Sequence, residues 1–155
     1  MLAISEGRLV SSGELFDRLV SRLKQFSPAG IRAILWHQGE SDWNQKEPHA
    51  ITIEEYRASL AQLISASRSA ATWEIPWFVA QASYGNPASP GSEDFRAAQR
   101  SLTDDRLTFV GPNTDLLTAE FREKEGAGVH FNEAGLKRHG EMWAEIVGQW
   151  IEEKK

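Results

Sequence analysis

The sequence predicts an α/β fold in which a parallel sheet lies between helices on both of its faces, giving three layers, α/β/α. Three observations carry that prediction. Apolar residues recur at three- and four-residue spacing in some stretches, short β-branched and aromatic runs occupy others, and the two kinds alternate along the 155 residues. Strands joined through helices require crossovers, and crossovers produce parallel pairing.

From Ser12 to Phe26, Leu15, Phe16, Leu19, Val20, Leu23 and Phe26 mark one face of a first helix, which Ser27-Pro28-Ala29-Gly30 ends. Ile31 to Trp36 holds five apolar residues in six and reads as a buried strand that runs into His37-Gln38-Gly39-Glu40-Ser41-Asp42. Thr52 and Glu55 then form a capping box for a second helix, whose stripe is Ile53, Tyr56, Leu60, Leu63 and Ile64. Ile75 to Ala80 is a second strand, followed by a loop rich in Gly, Pro, Asn and Ser from Ser83 to Ser92 and a shorter helix over Glu93 to Leu102. Leu107 to Val110 is a third strand closed by Gly111-Pro112-Asn113. Asn132 caps a last helix with Leu136, Met142, Trp143, Ile146, Val147 and Trp150 inward. No repeat or linker divides the chain, so residues 1–155 read as a single domain.

Composition narrows the function. A net charge of -5 with scattered Lys and Arg offers no basic stripe, which argues against nucleic acid. No apolar run reaches the roughly 20 residues that span a bilayer, so no membrane partner is expected. The first residues, Met1 to Arg8, hold a charge too early for a signal peptide, and with no cysteine the compartment stays open. The six tryptophans read mostly as core, although aromatic rings also line sugar sites.

Two clusters carry chemistry. Residues 37–42 place polar side chains directly at a strand's carboxyl end, where open α/β sheets bind ligands. The plainer reading is a turn and a cap built on Gly39. Gly126-Ala127-Gly128-Val129-His130-Phe131-Asn132 places a histidine in a glycine-rich loop before the last helix. An imidazole there can serve as general base for a hydroxyl nucleophile, or it is a solvent histidine in a turn. His49 and His139 read as surface residues. A metal set drawn from His37, His49, Glu40 and Asp42 has no supporting ligand spacing, so neither metal nor cofactor is expected.

Trp36-His37-Gln38-Gly39-Glu40-Ser41-Asp42 resembles the third sequence block of the sialate O-acetylesterase and acetylxylan esterase group, carbohydrate esterase family six of the SGNH hydrolases. Gly128-Val129-His130-Phe131-Asn132 with Gly135 resembles that group's final block, and Phe78 to Gln81 and Phe95 to Gln99 resemble what lies between. The resemblance runs from about Pro28 to the C-terminus and implies an SGNH, flavodoxin-like sheet lacking the family's N-terminal strands. It further implies a serine-type hydrolysis of acetylated carbohydrate, with His130 as general base and then acid and Gln38 as an oxyanion donor.

Glu40 is expected to hold the hydrogen-bond network of the site, including the Gln38 amide. The family's glycine-x-serine-asparagine nucleophile block has no counterpart, since none of Ser5, Ser11, Ser12 and Ser41 follows a buried strand in that pattern. Ala127 stands where the family carries its histidine-orienting aspartate, leaving Glu40, Glu125 or Asp115 as substitutes. The alternatives to an esterase are a non-catalytic carbohydrate-binding or interaction module and a homo-oligomer that covers the strand at Ile31 to Trp36 as an open sheet edge.

Overall fold

The computed structural model describes residues 3–5, 8–10, 13–26, 30–71 and 73–154, with side chains from residue 16 onward. The helix start at Ser12, its stop at 27–29 and residues 1–2, 6–7 and 11 lie outside that set.

The predicted elements are present in the predicted order. Helix α1 spans Gly13–Gln25, strand β3 Ile34–Trp36, helix α3 Ile53–Ala71, strand β4 Trp77–Gln81, helix α4 Glu93–Arg100, strand β5 Thr108–Asn113 and helix α5 Glu133–Glu153. Two features add to them. An antiparallel pair, β1 (Ala3–Ser5) with β2 (Arg8–Val10), precedes α1, and the single turn α2 (Glu40–Trp43) follows β3.

The main sheet is parallel with order β3-β4-β5, so β4 is central and buried along its whole length. Its side chains alternate as a pleated strand requires. Trp77 and Val79 join Leu23 of α1, Tyr56, Leu60, Leu63 and Ile64 of α3 and Phe95 of α4 on one face. Phe78 and Ala80 face the other way, against Trp143, Ile146, Val147 and Trp150 of α5. Helices therefore cover both faces, and the three-layer α/β/α architecture is established.

Strand boundaries shift from the predicted ones for backbone reasons. Pro76 has no N–H to give to a ladder, so β4 starts at Trp77 instead of Ile75, and β3 pairs only from Ile34, whose N–H meets the Pro76 carbonyl at 2.8 Å. Strand β5 continues through Gly111-Pro112 to Asn113 because it is an edge strand, where a proline leaves no ladder bond unmade. Its other constraint is Gly111, where a Cβ would sit 2.7 Å from the Ala80 nitrogen and 2.9 Å from the Trp143 ring.

Four readings need correction, the first being the strand at Ile31 to Trp36, read as buried, none of whose residues is buried and whose Leu35 is 47% exposed. Phe26, read as part of the buried face of α1, is 53% exposed past the end of the helix, and Leu136, read as inward on α5, is 61% exposed. The first turn of α5 packs through Gly135, where a Cβ would overlap the Phe121 carbonyl, and that contact turns Leu136 outward. His139, read as a surface residue, is half-buried against the ring of His37 with centroids 4.8 Å apart, and its Nε2 accepts from Trp143 Nε1 at 3.0 Å. His49 is exposed, as the sequence suggests.

Candidate active site

The carboxyl ends of the three parallel strands gather the polar residues of the chain. After β3 the backbone turns at Gly39, where any Cβ would overlap the Ala82 carbonyl and reach Gln99 Nε2 at 2.6 Å. Glycine is thus dictated by close approach, and the turn starts α2. The Gln38 carbonyl accepts from Tyr56 Oη at 2.9 Å and from Gln99 Nε2 at 3.2 Å, which fixes this backbone to α3 and α4. Burial pushes the Tyr56 phenol up to about 12, so it remains a donor.

The Gln38 side chain is held by Asp42. Its Nε2 donates to Asp42 Oδ2 at 2.7 Å, four residues on, and its Oε1 is buried with no partner among the described residues. Burial raises the pKa of Asp42, the bond from Gln38 opposes that shift, and the Glu40 charge adds to it. The expectation that Glu40 holds the Gln38 amide is therefore corrected. Glu40 lies instead 3.6 Å from His37 Nε2.

His37 is a half-buried, positioned imidazole. The Thr114 hydroxyl hydrogen goes to the Gln81 carbonyl at 3.2 Å, so its oxygen accepts from His37 Nε2 at 2.9 Å, and the ring proton sits on Nε2. Burial lowers the pKa of His37 first; Glu40 opposes, Arg122 lowers it further and Asp115 opposes again.

Asp115, one of the suggested orienters of His130, is occupied elsewhere. Its Oδ1 accepts from the backbone N–H of Ser83 at 2.7 Å and of Tyr84 at 2.8 Å. Its Oδ2 accepts from Ser83 Oγ at 2.5 Å and Arg96 Nη1 at 2.6 Å. Gly91, at φ +98°, makes room for this knot, since a Cβ there would lie 2.6 Å from Asp115 Oδ2. Ser83 is 0% exposed and bound within the same knot.

His130 is carried by the loop before α5, and the loop is strapped to residues 121–123. Arg122 bridges Phe131 in antiparallel fashion, the Glu123 N–H donates to the His130 carbonyl at 3.0 Å, and the Asn132 N–H donates to the Phe121 carbonyl at 3.0 Å. Asn132 Nδ2 donates to the carbonyls of Glu120 at 2.8 Å and Arg122 at 3.0 Å, while its Oδ1 caps α5 at the Gly135 N–H, 2.9 Å away. Beneath the strap the Arg122 guanidinium lies 4.2 Å from the centroids of both Tyr84 and Phe131.

This pairing sets Glu123 beside His130, with Oε1 3.0 Å from Nδ1. An ionised carboxylate only accepts, so in the neutral imidazole the proton resides on Nδ1 and the Nε2 lone pair is the basic site. The imidazole side chain is 80% exposed and Glu123 36%, which leaves Nε2 open to a reacting group. Of the suggested orienters, Glu125 is not the partner either; the carboxylate is Glu123, which sequence reasoning missed. It stands seven residues before His130 in a stretch that forms no α-helix, so its position becomes meaningful only through the Arg122–Phe131 bridge.

The two predicted clusters thus sit on the same edge of the sheet, connected through Phe131, whose ring is 6.2 Å from that of His37. Among the described residues no hydrogen bond or ion pair joins His130 to Gln38, Glu40 or a serine hydroxyl. A cavity of about 470 Å³ opens beside the His130 loop, walled by Tyr84, Pro87, Pro90, Ala119, Glu125 and Ala127 among others. Among the described residues no His, Asp or Glu cluster suits a metal ion, and no helix is long and apolar enough to cross a membrane.

A three-stranded parallel sheet between two layers of helices, with the Gln38 and His130 blocks beyond its strand ends, is consistent with the SGNH hydrolase superfamily. The family model for carbohydrate esterases described as sialic acid-specific acetylesterases matches residues 3–149, and the chain belongs to that family. No curated protein and no solved structure is matched. Membership brings a carbohydrate acetylesterase-type function and an acetylated carbohydrate as the substrate class.

Proposed function

We propose that this chain hydrolyses acetyl esters on carbohydrate by a serine-type mechanism in which His130 is the proton-transfer group. The observation that carries the reading is the His130 Nδ1–Glu123 Oε1 contact of 3.0 Å, which orients the imidazole and leaves Nε2 basic and exposed. In the proposed reaction a serine Oγ attacks the acetyl carbonyl carbon and its proton passes to His130 Nε2. Collapse of the tetrahedral intermediate breaks the bond to the sugar oxygen, which takes that proton, and water then releases acetate from the acetyl-serine through the same imidazole.

Gln38 is proposed as an oxyanion donor. One Nε2–H is committed to Asp42, and the other has no partner among the described residues. A fixed amide N–H of this kind can favour the developing oxyanion by about 3 to 4 kcal/mol. Asp42 makes the donor rigid, and His37, neutral and tied to Thr114, supports the adjoining backbone.

The described residues bring no serine hydroxyl to His130, while the side chains of Ser5, Ser11, Ser12 and Ser27 lie outside them. Fluorophosphonate labelling followed by peptide mass analysis locates the nucleophile. A single serine adduct that disappears in His130→Ala is expected. Labelling that is indifferent to His130 removes it from the mechanism, and sugar binding without any adduct or hydrolysis favours the non-catalytic carbohydrate-binding reading.

A further inference from the structure

We infer that Arg122 is a positioning residue for the proposed hydrolysis, a buried guanidinium that holds both chain neighbours of His130 and ties them to the segment carrying Thr114, the partner of His37. The inference rests on the esterase reading for the chemistry that this position serves, but the position itself can be measured without turnover.

The contacts run in two directions from one planar group. Toward His130, Arg122 Nη1 donates to the Val129 carbonyl at 2.6 Å, and the guanidinium carbon lies 4.2 Å from the centroid of the Phe131 ring. Val129 and Phe131 flank His130 in the chain, so the loop is gripped on either side of the imidazole-bearing residue. Toward the sheet, Nε donates to the Leu117 carbonyl at 2.5 Å, Nη2 reaches the Thr114 carbonyl at 3.5 Å, and the Tyr84 ring centroid lies 4.2 Å from the same guanidinium carbon. The Thr114 hydroxyl accepts from His37 Nε2 at 2.9 Å and donates to the carbonyl of Gln81, the last residue of β4, at 3.2 Å. His37 directly precedes Gln38, so a continuous path of contacts joins the two functional blocks through Arg122.

The residue type decides what this grip can do. Arg122 is 4% exposed, and its side-chain hydrogen-bond partners among the described residues are three backbone carbonyls. A cation buried in this way is costly unless its donors are met, and here carbonyl dipoles and two aromatic rings meet them. The guanidinium fork directs separate N–H groups at separate carbonyls, whereas a lysine ammonium concentrates its donors at one point. The pairing of Glu123 with His130 has contacts of its own, from the Glu123 N–H to the His130 carbonyl at 3.0 Å and from the Glu123 carboxylate to Nδ1 at 3.0 Å. Glu123 therefore sets the tautomer of the imidazole, and Arg122 sets where the pair sits relative to Gln38. A displacement of about 1 Å at a reacting group can cost about 10²-fold in rate.

Three measurements on the full chain test the role. In the wild type the Arg122 Nε–H is expected to exchange with solvent at least about tenfold more slowly than that of Arg106, whose side chain is 74% exposed. Equal exchange overturns the inference without recourse to any variant. Arg122→Lys is expected to keep the Nδ1–H tautomer of His130 in nitrogen-15 spectra while losing the nuclear Overhauser contact between the Phe131 and His37 rings, whose centroids are 6.2 Å apart in the wild type. In acetate release the same variant is expected to lower kcat by about 10²-fold with KM held within about twofold. A ring contact that persists in Arg122→Lys, or a kcat equal to that of the wild type, overturns the inference. A tautomer mixture in the variant means that Arg122 supports the loop at large, and overturns it too. No acetate release by the wild type overturns the esterase reading alone, because the exchange rate and the ring contact decide the placement of His130 independently.

Discussion

In the proposed mechanism Glu123 is the residue that orients His130. A carboxylate at 3.0 Å from His130 Nδ1 selects one tautomer, and without it the imidazole rotates and divides its proton between two nitrogens. Glu123→Ala is expected to lower kcat for acetyl-ester hydrolysis by about 10²- to 10⁴-fold, the range that general acid–base catalysis contributes. A purely structural role is separated by nitrogen-15 spectroscopy of the ring. The wild type is expected to show Nδ1–H with a basic Nε2, Glu123→Ala a tautomer mixture and Glu123→Asp partial restoration. An unchanged tautomer in Glu123→Ala contradicts the orienting role. The corresponding signal was absent from the sequence because the family position for this carboxylate is Ala127. Gln38 and His130 were singled out from their blocks, whereas the Gln38–Asp42 bond, although at helical spacing, required the unread turn α2 to form.

At the scale of elements, the helices were the most legible part because their signals are local. The Thr52–Glu55 capping box forms both of its backbone bonds, at 2.9 and 3.1 Å, and Ser92 caps α4 by accepting from the Phe95 N–H at 3.2 Å. Strand ends were less legible, since they depend on the partner: β3 is cut short by Pro76, just before the neighbouring strand, and β5 runs past Pro112 because nothing among the described residues pairs with its outer edge. The environment of His139 was misread for the same reason, as helical spacing gives a face but not what another element brings against it. Asn132 shows how one local signal positions the site, because it caps α5 and ties the His130 loop to Glu120 and Arg122 at once. Asn132→Ala is expected to cost about 1 to 2 kcal/mol of stability, with the cap alone typically worth about 1. It is also expected to raise amide exchange in residues 121–131. Denaturant titration and hydrogen exchange measure the two effects, and unaltered exchange in that loop argues against the strap.

Across the whole molecule, two half-buried histidines from opposite ends of the chain couple folding to pH. His37 and His139 both have folded pKa values lowered from the ordinary 6.5, chiefly by burial, with Arg122 adding to both and His37 acting on His139. The unfolded chain therefore binds more protons as pH falls through 6.5, so stability is greatest above that value, declines through it and levels off below the folded pKa values. Asp42, with a raised folded pKa, contributes with the opposite sign. His139→Gln, which retains an acceptor for Trp143 Nε1, is expected to flatten the loss of Tm between about pH 7.5 and 5, and an equally steep loss in the variant discards the coupling. All of these features serve one arrangement, in which a parallel sheet holds the Gln38 block and the His130–Glu123 pair at its carboxyl edge. The most direct test of that arrangement is acetate release from an acetylated glycan by the wild type and by His130→Ala at matched concentration. Release by the wild type that falls at least about 10²-fold in the variant is the predicted result. No release by the wild type, or equal release by both, contradicts the account.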